Sequence, residues 1–232
     1  MNNATVSKCK PTKVDHLIKA VKEYINKHQY ALEYYGHIST WDISELKTLN
    51  GVFSNVKITD ANVHLLDGIQ HWDTSNVTKM DSTFRWVEAS SIPYISNWNT
   101  SRVKNMDFTF QCSNMNQPLN WDTRNVTSMK GTFSGCSKFN QSLEHWNVNK
   151  VTNMSRMFEC AHSFNYPLNS WNVDKVTDMS SMFYSAKSFN HPLNNWNVSN
   201  VKDFESMFKN SGFNQNVSNW KIGPDSYTYD MF

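Results

Sequence analysis

Glycine is scarce, at 7 of 232 residues, and no Gly-rich phosphate loop occurs. Also missing are H-E-x-x-H, G-x-S-x-G and any paired-carboxylate motif, although 8 His and 20 acidic residues are present. These absences leave no sequence grounds for phosphate-loop, zinc-hydrolase or serine-hydrolase chemistry, so no catalytic residue, metal ligand or cofactor is expected. Cysteine is limited to 4 residues without a C-x-x-C spacing, which removes the usual signature of structural zinc. Net charge is +2 with no block of like charges, so nucleic acid is not an expected partner. No apolar run reaches membrane-spanning length, and the start, MNNATVSKCKPTKV, lacks the apolar core of a secretion signal. The expectation is an intracellular, non-enzymatic chain with no membrane insertion.

What the chain does have is aromatic residues, at 14%, set at a fixed interval. The stretch WNVNKVTNMSRMFECAHSFNYPLNS, from Trp146 to Ser170, is followed at once by the near copy WNVDKVTDMSSMFYSAKSFNHPLNN. Counting outward, the anchoring Trp recurs at Trp41, Trp72, Trp98, Trp121, Trp146, Trp171, Trp196 and Trp220. Twelve positions after each stands a Phe: Phe53, Phe84, Phe110, Phe133, Phe158, Phe183, Phe208 and Phe232. A period of this size marks a repeat architecture in which one unit cannot bury its apolar face alone.

Within a unit, Val and Met follow the Trp by five and eight positions, as in Val151 and Met154, and then come Met157 and Phe158. That spacing fits one face of a short helix, with Ser, Asn or Asp before the Val as its N-cap. The other limb, FNYPLNSWNV, carries Pro118, Pro167 or Pro192 and an apolar residue three before most Trp, which suggests a short extended piece. Like units stacked in one sense would set these pieces parallel. The expected fold class is therefore α/β, a right-handed solenoid with one short parallel strand and one short helix per turn. Two Asn columns, one directly after the Trp and one at Asn140, Asn165, Asn190 and Asn214, read as structural ladders at tight corners. Cys112, Cys136 and Cys160, set 24 apart, read as a column of small buried side chains, with Ala186 in their place in a sister unit.

Ahead of the repeats, residues 1–11 are polar and expected to fray. Thr12 and Asp15 form a T-x-x-D capping pattern before Leu17, Val21, Ile25, His28, Leu32 and Tyr35, so a helix is predicted from about Val14 to Tyr35. Its wet side would be Lys19, Lys22, Glu23 and Lys27. An N-terminal cap on the first unit is the leading reading, and a basic membrane-surface helix the alternative. The chain thus divides into a tail and capping helix, 1–35, and a repeat region, 36–232, of about eight turns. The first two are irregular, with an insertion NVKITDANVHLLDGIQ and an extra Trp86 and Ile92-Pro93. The last is degenerate, with Asp225 and Thr228 where Val and Met belong.

The iterated pattern W-[ND]-V-x-x-V-T-x-M-S-x-M-F, followed by F-N-x-P-L-x-x-W, resembles the BspA-like branch of leucine-rich repeats, over about residues 36–232. The unit occurs in mycoplasma lipoproteins, bacterial surface proteins and giant DNA viruses. The opening LIKAVKEYINKHQYALEYYGHISTWDIS is similar to the capping segment of algal and giant-virus members. The resemblance implies a leucine-rich-repeat-like solenoid with an interaction role and no catalytic residue among the motif positions. The lipoprotein signal and cell-wall anchor of the surface proteins are not in this sequence.

Side chains that the motif leaves free are the candidates for binding. On the limb before the Trp these are Glu144, His145, Asn169, Ser170, Asn194, Asn195 and Asn219, with Tyr166, His191, Gln141 and Gln215 at the corner. A row of amides and rings suits contact with a protein, or with a glycan. The expected function is a protein-interaction scaffold, more narrowly a structural component of a giant-virus particle. The alternative is a surface adhesin for a host protein or glycan, with which the sequons at Asn76, Asn125 and Asn197 are compatible.

Overall fold

The computed structural model describes residues 9–93 and 95–232. Of the polar start, residues 1–8 lie outside these. Two helices come first, α1 (Val14–Asn26) and α2 (His28–Tyr35), where the apolar period had suggested one. The break falls at Lys27 (φ −137°, ψ 52°). There His28 Nδ1 reaches 3.3 Å from the Tyr24 carbonyl, a side chain intruding on the i to i−4 ladder. The Thr12–Asp15 capping box is not formed; Lys13 holds the N-cap position without a side-chain bond. Helix α1 buries Leu17, Ala20, Val21, Tyr24 and Ile25. The Tyr24 and Tyr35 rings meet Trp41 edge-on, at 5.4 and 5.9 Å, so α1 and α2 lie against the indole of the first coil. Gly36 (φ 75°) ends α2.

From there the chain winds in stacked coils, and their hydrogen bonding differs from the expectation. In the coil of Trp146, the N–H groups of Met154, Arg156, Phe158 and Cys160 donate to carbonyls of the next coil, Asp178, Ser180, Met182 and Tyr184, at 2.7–2.9 Å. The intervening N–H groups of Met157, Glu159 and Ala161 fold back onto Met154, Arg156 and Phe158 at 3.0–3.2 Å, each closing a β-turn. Alternate amides therefore serve two purposes, one between coils and one within. The same alternation holds from Met80 to Phe208. Beside it runs a single file of parallel β-bridges, seven residues after each Trp, from Thr48↔Lys79 to Asp203↔Tyr227.

Overlapping β-turns of this kind need residues with positive φ, and the chain supplies them at two fixed offsets. Ten after the Trp stand Gly51, Ser82, Phe108, Gly131, Arg156, Ser181, Ser206 and Asp230, all with φ of 53–66°. Fourteen after it stand Trp86, Cys112, Gly135, Cys160, Ser185 and Asn210, with φ of 54–72°. Left-handed backbone costs a residue bearing Cβ roughly 1–2 kcal/mol, and the inter-coil bonds offset it.

The α/β expectation, a leucine-rich-repeat-like right-handed solenoid with one short strand and one short helix per turn, is therefore wrong. Among the described residues no α-helix occurs beyond α1 and α2, and pairing is confined to isolated bridges. The limb expected to be helical is the β-turn file that carries those bridges. The limb expected to be a strand is a bend, closed by the N–H of Trp171 on the Leu168 carbonyl and likewise at six other Trp residues. Three-residue apolar steps fit a helix face and a chain of overlapping β-turns equally well. The left-handed residues decide between them, because a helix admits none.

The core is a set of ring columns. Each repeat Trp is buried, and from Trp72 onward its Nε1 donates to the carbonyl three before the preceding Trp or a residue off it, as from Trp171 to Leu143 at 3.1 Å and from Trp196 to Leu168 at 2.9 Å. Phe53 through Phe232 stack coil on coil with centroids 5.2–5.7 Å apart. A second column, Phe139, Phe164, Phe189 and Phe213, lies 4.0–4.2 Å from the first. Phe158→Ala should cost about 3–5 kcal/mol by opening a gap in both columns. In-frame deletion of residues 146–170, which removes one complete coil, should lower the melting temperature less. Thermal unfolding by near-ultraviolet circular dichroism compares the two, and a deletion more damaging than the point change would refute the interchangeability of coils.

The cysteine column is corrected in part. Cys136 is buried, shares its offset with Ala161 and Ala186, and donates Sγ–H to the Phe110 carbonyl at 2.8 Å. Cys112 and Cys160 instead occupy the left-handed offset, with Cys112 exposed and Cys160 half-buried. All four thiols are free. Burial pushes the thiols of Cys136 and Cys160 up, and that of Cys9 up to about 11, so little reactive thiolate forms there near neutral pH. A maleimide at pH 7 should label Cys112 first and Cys136 no faster than the protein unfolds, as followed by peptide mass spectrometry. Equal labelling rates at the two would contradict the packing described.

Candidate interaction surface

Stacking fixes which side chains remain at the surface. The corner Asn column is a continuous ladder between coils: the N–H groups of Asn140, Asn165, Asn190 and Asn214 each donate to Oδ1 of the Asn in the coil before, at 2.9–3.1 Å. The column after the Trp works within its own coil. Asp73, Asn99, Asp122, Asn147, Asn172 and Asn197 accept, through Oδ1, the N–H two residues on. Such Asx turns satisfy backbone groups at a bend where no ladder continues.

Several of the residues expected to bind a partner belong to this same fabric. Asn169 donates Nδ2–H to Asn194 Oδ1 at 3.2 Å and accepts the Asn195 N–H at 2.9 Å. Asn219 donates to the Asn194 carbonyl at 2.7 Å. His145 Nε2 lies 2.9 Å from the Leu119 carbonyl, and His191 Nε2 lies 3.1 Å from that of Asn165. Tyr166 is half-buried against the core. Glu144, Ser170 and the Asn195 amide are exposed and make no side-chain hydrogen bond among the described residues. The surface here is shallow. Pro192, Asn194, Gln215, Asn216, Ser218 and Asn219 line a depression of about 450 Å³, and Asn169, Ser170, Asn195 and Asn197 help line another of about 300 Å³.

A larger cleft, of about 900 Å³, lies farther along the same limb, where the repeat is broken. Val63, Ile92, Pro93 and Pro118 supply its apolar wall, with His64, Asp67, Ser91, Ser96 and Gln117 around them. Its two irregular segments are tied to one another and to the regular coils. Asp60 Oδ1 accepts the Ser90 N–H at 2.7 Å, and Gln117 Oε1 accepts the Ile92 N–H at 2.6 Å. Asn62 holds the insertion's own bend through the Thr59 N–H and the Lys57 carbonyl, each at 2.8 Å. Gly68 (φ 118°) closes it where an added Cβ would come within 2.5 Å of Ser39 Cβ. The cleft is thus set by hydrogen bonds rather than by the period. The Asp67 N–H donates to the His64 carbonyl at 3.1 Å, but among the described residues no side-chain hydrogen bond joins His64 and Asp67 to each other or to the two serines.

Sequence reasoning passed over these residues because the insertion registered as a delay before Trp72. The available signal was the departure itself: residues outside the period are the ones the repeating core does not consume. Among the described residues no group of three His, Cys, Asp or Glu side chains is placed to hold a metal ion, and no helix is long and apolar enough to cross a membrane.

With the stacked coils and their surface in hand, comparison with known proteins gives one result. The model of the family described as "Mycoplasma protein of unknown function, DUF285" matches three overlapping segments, 12–84, 58–149 and 111–220. No curated protein and no solved structure matches the chain. Since the three segments together run from residue 12 to residue 220, the chain belongs to this BspA-like repeat family.

Proposed function

We propose that the protein is a non-enzymatic scaffold that binds a protein partner along the limb preceding the Trp. The observation that carries this reading is the cleft walled by Val63, Ile92, Pro93 and Pro118. It is apolar, tied by hydrogen bonds, and sets Val63, Ile92 and Pro93, which lie outside the period, against the periodic Pro118, as a site for an anchoring side chain should. The row of Glu144, Ser170 and Asn195 continues along the same limb and offers polar contacts beyond the anchor. More narrowly, the similarity of the opening segment to giant-virus members favours a structural component of a virus particle, acting inside the cell or in the particle.

The adhesin reading has less support. Of its three sequons, Asn197 is exposed and its Nδ2 makes no hydrogen bond among the described residues, but the Nδ2 groups of Asn76 and Asn125 already donate to the Ser44 and Ser101 carbonyls of the preceding coil at 2.8 Å. A glycan there would have to displace a bond between coils.

The test is purification of the native protein with its bound partner, followed by the same isolation of Val63→Arg and Pro118→Arg variants. Both positions line the cleft, and neither side chain is fully buried. Loss of the partner with an unchanged melting temperature is the expected outcome. Retention of the partner by both variants would overturn the cleft as its site.

A further inference from the structure

On the opposite limb, along the file of β-turns, the side chains of Arg85, Phe108, Gln111, Lys130 and Arg156 enclose a recess of about 360 Å³. Its five side chains come from four successive coils, those of Trp72, Trp98, Trp121 and Trp146, and three of them are cations. Arg85 and Lys130 have no carboxylate within ion-pair distance among the described residues, and Arg156 has only Glu159, at 3.6 Å. Arg85 Nε is buried without any hydrogen-bond partner there. An unpaired guanidinium nitrogen shut away from water is costly. The nearby acids are already occupied. Asp107 accepts the Ser128 hydroxyl and the Lys130 N–H, and Glu159 accepts the Ser134 hydroxyl at 3.0 Å.

Two aromatic residues at this place are held in backbone that suits neither. Phe108 (φ 55°) and Trp86 (φ 62°) stand in the two left-handed columns, where other coils put Gly, Ser, Asn, Asp, Cys or Arg but no other aromatic residue. A bulky residue with positive φ is an outlier whose cost points to a use. Each has a visible one. Trp86, half exposed, backs the Arg85 guanidinium, whose Cζ lies 4.0 Å from the ring centroid, and so fixes its direction. The Phe108 ring lies on Gly131 so closely that an added Cβ would come within 2.5 Å of it. Lys130 Nζ is 5.9 Å from the same ring. The recess thus sets the Phe108 ring among three cationic side chains.

We propose that this recess binds a phosphate monoester carried on a flat ring, the phosphate taken by Arg85, Lys130 and Arg156 and the ring by Phe108. Guanidinium groups bind phosphate through paired donors, and the ammonium acts as a point charge. The ligand chemistry could come from a nucleotide or from a phosphorylated tyrosine, and the two are separated by experiment. This site is independent of the cleft on the other limb and stands or falls without it.

Calorimetric titration of the whole chain with phenyl phosphate tests it. Binding about tenfold tighter than that of inorganic phosphate or of phenol is expected, with a further loss of about tenfold in Lys130→Gln and in Arg156→Gln. Phe108→Gly relieves the backbone, so it should keep or raise the melting temperature while reducing phenyl phosphate to the affinity of inorganic phosphate. Adenosine monophosphate and a phosphotyrosine peptide, titrated in parallel, identify the source by which binds more tightly. No heat of binding up to about 10 mM phenyl phosphate would overturn the proposal, as would equal affinity in the Lys130→Gln/Arg156→Gln double variant.

Discussion

The constraint on which the structure depends is that buried backbone groups must be paired, here without the help of helix or strand. The chain solves it by alternation. Amides at even offsets reach forward to the next coil, and those between them close β-turns within their own. The carbonyls divide in the same way, so the file leaves few unsatisfied groups in its interior. This division requires a left-handed residue at two offsets per coil, and it sets the coils at a distance where Phe can lie on Phe. The indole adds a third tie by donating across the coil boundary from the far limb. Packing and hydrogen bonding are thus not separable contributions. The same register that pairs the amides aligns the rings, and an error in one would disturb both.

How much of this was legible follows from what periodicity reports. It gave the unit, its phase and its core, because Trp171, Val176, Met179 and Phe183 are spaced by the burial they need and all are buried. It also gave the corner Asn ladder, since an amide repeated at a bend has few other uses. It misassigned the local conformation, because steps of three cannot distinguish a helix from overlapping β-turns. Ser181, Ser185 and Gly131 carried the missing information, but Arg156, Phe108 and Trp86 at the same offsets concealed it: none of these favours positive φ. The break at Lys27 was hidden for a similar reason, since it follows from where one His side chain points.

The surface was less legible than the core, on physical grounds. Residues such as Asn169, Asn194 and Asn219 look free in sequence because they lie outside the apolar motif, yet they bond across coils. The places with unspent chemistry are where the repeat lapses. One is the inserted segment near Val63 and Ile92; the other is the recess of Arg85, Phe108 and Lys130, whose side chains differ from those at the same offsets in sister coils. A strict repeat is an efficient core and a featureless exterior, so individuality has to be written in its exceptions.

The alternation of amides also gives the stack a direction. Among the described residues, the Thr228, Asp230 and Phe232 N–H groups of the last coil find no acceptor, while the Thr48, Asn50 and Val52 carbonyls of the first receive no donor. Along the β-turn file one face of each coil is therefore proton-rich and the other lone-pair-rich, so two like faces brought together would leave these groups unpaired; the Thr152 and Thr177 amides and the indoles donate the opposite way. Along this file each coil presents carbonyls to its predecessor, as Asp178, Ser180 and Met182 do toward the coil of Trp146. Growth of such an object, whether by gene duplication or by assembly, is vectorial.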